Sequence, residues 1–85
     1  MSDKLEIIKK RLIYRASYRG TKEMDILLSE FVNKYINKFD KSQLLELEKF
    51  LNFEDEIILN FYNNNITEKN IDKNKVSRLF KEFTI

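Results

Sequence analysis

Apolar residues recur along this chain at three- and four-residue spacing, the period of an α-helix, and strand-and-turn signals are few. The pattern is clearest over residues 22–37, where Met24, Leu27, Leu28, Phe31, Val32, Tyr35 and Ile36 share one face. A preceding segment, about residues 4–18, carries Leu5, Ile8, Leu12 and Ala16 on a stripe. Asp40 to Ser42 offer caps for a third helix, which runs to about Leu51 with Leu44, Leu47 and Leu51 inward and is broken by Asn52. Glu54, Asp55 and Glu56 fall in the first turn of a fourth helix, where the helix dipole favours carboxylates. Its apolar face is Ile57, Ile58, Phe61 and Tyr62, and the triplet Asn63-Asn64-Asn65, tolerant of left-handed turns, ends it. A fifth helix is predicted to start near Asp72 as N-cap, with Val76, Leu79, Phe80 and Phe83 inward and Arg78 and Lys81 near its C-terminal end. The expected fold is all-α: a compact bundle of five short helices in one domain, residues 1–85, with neighbours mostly antiparallel across short links.

Composition narrows the chemistry. The 85 residues contain no Cys and no His, which removes disulfides, Cys/His zinc sites and Ser-His or Cys-His nucleophile pairs. No apolar run approaches the roughly 20 residues that cross a bilayer, and the opening residues lack a secretory h-region, so a cytoplasmic protein without a membrane span is expected. Net charge is only +2, but residues 4–23 hold seven Lys/Arg against two Glu, and residues 40–56 hold six Asp/Glu against two Lys. Two opposed faces suit oriented docking on a protein better than non-specific binding of nucleic acid. Equally, each is the solvated face of a helix. Lys9-Lys10-Arg11 reads as such a face, and Tyr14 and Tyr18 fit either core or contact, with core favoured for an aromatic on a bundle helix.

The single glycine, Gly20, lies between the two strongest helical patterns. It is expected to end the first helix with positive φ, or to admit a close approach by another backbone. Arg19 then stands at the end of one helix and Glu23 in the first turn of the next, both projecting from one corner. The residues alone leave open a plain helix cap, or an Arg19–Glu23 pair worth about 0.2–0.5 kcal/mol.

The segment from Tyr14 to Leu28 resembles the signature of the succinate dehydrogenase FAD assembly factors, whose hallmark R-G-x-x-E is matched by Arg19, Gly20 and Glu23. An Asp two residues after the Glu is matched by Asp25, and a following L-L-x-x-F by Leu27, Leu28 and Phe31. The likeness covers roughly residues 11–62, with little carried by residues 63–85. Tyr18 stands where many members have a second basic residue, and Arg15 one turn earlier offers compensation.

The resemblance implies a non-enzymatic, chaperone-like monomer. Its partner would be the flavoprotein subunit of succinate dehydrogenase, and in many members fumarate reductase, where it promotes covalent attachment of FAD to a histidine of that subunit. No cofactor would stay on the factor itself. Arg19, Gly20 and Glu23 would form the partner-binding surface, extended by Arg15 and Asp25. Competing expectations are a nucleic-acid or membrane binder using the basic first helix, an enzyme using Glu23, Asp25 and a lysine, and an antitoxin-like regulator.

Overall fold

Five α-helices form in the computed structural model, which describes residues 2–84: α1 (Ser2–Ser17), α2 (Lys22–Tyr35), α3 (Lys41–Leu51), α4 (Asp55–Asn64) and α5 (Lys75–Lys81). There is no strand among the described residues. Helices α2, α3 and α5 start where a polar side chain takes over orphan backbone donors. Thr21 caps α2 by accepting from the Met24 N–H at 3.3 Å. Asp40 and Gln43 form a reciprocal capping box at the start of α3, with bonds of 2.8 and 3.0 Å. Helix α4 ends on Asn65 in the left-handed conformation (φ 57°), as the asparagine triplet predicts.

The fifth helix corrects the expected start. Asp72 is not its N-cap; it lies inside a 3₁₀ turn, Ile71–Lys73, and the cap is Asn74, whose side chain accepts from the N–H groups of Val76 and Ser77. The turn exists because Ile71 is driven fully into the core. Lys69 and Asn70 reach it through left-handed backbone (φ 52° and 62°). The Asn74 amide also donates to the Glu46 carbonyl at 2.8 Å, tying α5 to α3.

Helix α1 packs on α2 and α3, α3 on α5, and α5 on α4. Phe31 stands at the centre: Phe80 (5.0 Å), Phe83 (5.4 Å) and Phe50 (6.3 Å) meet it edge-on. The stripe residues Leu12, Ala16, Met24, Leu28, Val32, Leu47, Leu51 and Ile58 are all buried.

Tyr14 and Tyr18 are a second correction. They are 64% and 70% exposed and lie against each other, ring centroids 4.6 Å apart. Tyr14 is two residues from both Leu12 and Ala16, which puts it on the opposite side of the helix from the buried stripe. The aromatic type suggested core, and the phase of the helix overrides it.

Candidate functional site

The link between α1 and α2 is pinned to the link between α3 and α4, and Arg19 does the pinning. Its Nε donates to Asp55 Oδ1 at 2.7 Å, Nη1 to the Leu51 carbonyl at 2.8 Å, and Nη2 to the Phe53 carbonyl at 2.8 Å. Leu51 is the last residue of α3, so the guanidinium satisfies an orphan carbonyl at the negative end of that helix dipole. Asp55 completes the arrangement by accepting the Gly20 N–H on its second oxygen at 3.0 Å. The Arg19 backbone N–H donates to the Asp25 carboxylate. A planar fork with fixed donor directions is what one side chain needs to serve a carboxylate and two carbonyls together.

This geometry corrects two expectations about the corner. Arg19 does not project beside Glu23; its side chain is only 11% exposed and its donors are turned into the bundle. Gly20 does not have positive φ. Its lack of a side chain serves a close approach instead, because a Cβ there would lie 3.1 Å from Asp55 Oδ2. The approaching group is a carboxylate of the same chain rather than a backbone.

The outward chemistry of the corner is therefore Gly20, Thr21, Lys22 and Glu23, all exposed. Asp25 is half-buried and occupied with Arg19, and Arg15 donates to the Asn52 side chain at 2.6 Å, bracing α1 against the end of α3. Glu23 borders an apolar groove of about 220 Å³ between α2 and α4, with Ile26, Leu27, Leu59 and Tyr62 lining it. Exposed Glu54 and Glu56 flank the inward-turned Asp55, so the rim of the corner is acidic while α1 is basic.

Asp55 is the residue that sequence reasoning missed. Its place in a first helical turn was legible, but that explanation ended at the helix dipole. The pairing with Arg19 across 36 positions carried no local signal. Among the described residues no cluster of acidic side chains could hold a metal ion, and no helix is long and apolar enough to cross a membrane.

Residues 10–84 match the family model described as the flavinator of succinate dehydrogenase. The match thus runs past residue 62 through α5, further than the motif-based likeness. Among curated relatives, the mitochondrial succinate dehydrogenase assembly factor 2 of Scheffersomyces stipitis is 45% identical over 47 residues, 55% of this chain and 32% of that protein. The assembly factor 2 of Aspergillus flavus is 44% identical over 48 residues, 56% of this chain and 16% of that protein. Assembly factor 2-B of Drosophila willistoni is 44% identical over 48 residues, 56% of this chain and 31% of that protein. The matched region spans about a third or less of the length of these relatives, all three of which are named mitochondrial. No solved structure matches the chain.

Proposed function

The chain belongs to the flavinator of succinate dehydrogenase family, and from that premise we propose that it binds the flavoprotein subunit of succinate dehydrogenase and promotes covalent attachment of FAD to it. The observation that carries this reading is the corner itself: the motif residues Arg19 and Gly20 are spent on locking two interhelical links together, which holds Glu23 on a rigid outward edge. A docking edge that does not rearrange on binding keeps the ordering cost of association low. In this reading Glu23 and the exposed residues 20–22 contact the client, and Arg19, Asp25 and Arg15 act through the shape they maintain.

The factor works as an effector rather than as an enzyme. Binding favours the client conformation in which the flavin and its histidine are held in reactive geometry, a population shift limited by the differential affinity for that conformation. FAD stays with the client. The factor acts as a monomer in the compartment where the client matures, the cytoplasm on the sequence reading. The family match leaves the nucleic-acid, membrane and antitoxin alternatives without support.

The test is covalent flavin fluorescence of the flavoprotein subunit, run on a denaturing gel, from a host lacking its own factor. The wild-type chain is expected to raise the signal. Glu23→Lys, at an exposed position, is expected to abolish it with helicity unchanged, and Gly20→Arg to do the same by pushing a side chain against Asp55. A full signal with both variants, or none with the wild type, rules the reading out.

A further inference from the structure

Helix α1 has a second face that none of the described residues covers. Ile7, Arg11 and Tyr14 succeed one another four and three residues apart along the outside of the helix, and Tyr18, directly after its last residue, continues the row with its ring centroid 4.6 Å from that of Tyr14. Ile7 is 57% exposed, and with Tyr14 and Tyr18 it makes three of the large exposed hydrophobic side chains of the molecule. Scattered apolar residues on a surface need no explanation; a register-matched row does. Tyrosine and arginine are also the residues that most often anchor protein interfaces, since each offers a broad, stiff contact surface with a polar end. The flanks are cationic: Lys4 and Lys10 are exposed beside the stripe, while Glu6 faces Lys9 at 3.9 Å.

We infer that this α1 stripe is a docking face for an acidic, apolar-pocketed patch of the flavoprotein client, continuous with the Glu23 edge. The inference rests on the function proposed above and deepens it by naming the surface and the partner chemistry. Charge order along the surface selects a protein over a polyanion. The stripe ends at Tyr18, one residue before Arg19, and Arg19 and Gly20 are bonded to the first turn of α4, where Glu54 and Glu56 are exposed. A cationic row therefore runs into an acidic rim. A nucleic-acid backbone or an anionic bilayer, uniformly negative, meets attraction along α1 and repulsion at the corner. A protein surface can match both, with carboxylates and an apolar pocket opposite α1 and a basic group opposite the rim.

The experiment compares full-length variants for affinity to the purified flavoprotein subunit, for a single-stranded DNA oligonucleotide and for phosphatidylglycerol vesicles, with circular dichroism as the folding control. Tyr14→Ala/Tyr18→Ala is expected to weaken client binding by at least about tenfold at unchanged helicity. Arg11→Glu is expected to weaken it similarly, and Lys73→Glu, at an exposed residue of the 3₁₀ turn, to leave it unchanged. Wild-type client binding with full affinity in the double alanine variant overturns the stripe and leaves the Glu23 edge standing. Loss of DNA or vesicle binding in that variant, with client binding intact, overturns it in favour of a polyanion. If the wild-type chain does not bind the client, the function and the stripe fall together.

Discussion

Replacing Arg19 by lysine keeps a charge in the corner and loses its shape. An ammonium cannot reach Asp55 and the carbonyls of Leu51 and Phe53 in three fixed directions from one plane. Arg19 and Asp55 side chains are 11% and 25% exposed, so solvent screens their interaction only in part. A double-mutant cycle over Arg19→Ala and Asp55→Ala is expected to give a coupling of about 1–3 kcal/mol in urea unfolding, and a value near zero would mean the pair braces nothing. Arg19→Lys is expected to lower stability by about 1–3 kcal/mol and to reduce client flavinylation without any contact between residue 19 and the client. At this scale the sequence marked out the corner and misled about its geometry. Arg19, Gly20 and Glu23 stood out by type and spacing, yet whether an arginine points out or in depends on what lies 32 to 36 residues away, which no local pattern encodes.

Among the helices, starts were legible to within a few residues, as at Asp40 to Ser42, where Asp40 is the cap, and misread at the fifth helix, where the later of two candidates is the cap. Asp72 and Asn74 are both good caps, and the choice between them was made by the burial of Ile71, which needs a tight turn before the helix can begin. Asn74 is 7% exposed and uses both ends of its amide, the oxygen on Val76 and Ser77 and the nitrogen on Glu46. Asn74→Ala is therefore expected to cost more than a surface cap, about 2–3 kcal/mol. Asn74→Asp preserves the cap acceptor but removes the donor and sets a carboxylate facing the Glu46 carbonyl. It should destabilise as well, and a thermal melt of Asn74→Asp at or above the wild-type midpoint would show that capping alone matters there. Helix phase was the other legible quantity: it assigned the buried stripe of α1 correctly and, taken seriously, also places Tyr14 and Tyr18 outside.

For the molecule as a whole, the corner and the C-terminal helix are far apart in sequence and joined through one core. Every residue that builds the corner lies between Arg15 and Glu56, but Phe31, at the centre of the bundle, is enclosed by Phe80 and Phe83 as much as by Phe50. Ile71, Val76 and Phe80 are buried to within 2% of complete. Phe80→Ala alone is expected to cost about 3–5 kcal/mol, against a total of about 4–13 kcal/mol for a domain of this length. A chain ending at residue 70 loses Ile71, Val76, Phe80 and Phe83 together and uncovers Phe31 and Phe50, so it should lose cooperative unfolding and most of its helicity, and with them its support of flavin attachment. This separates two views of residues 63–85 that the motif could not: a dispensable tail behind a self-sufficient signature, or the closing wall of the core. Cooperative melting and undiminished flavinylation by the truncated chain would establish the first. The packing around Phe31 requires the second, because α2 carries the Glu23 edge on one side and leans on α5 with the other.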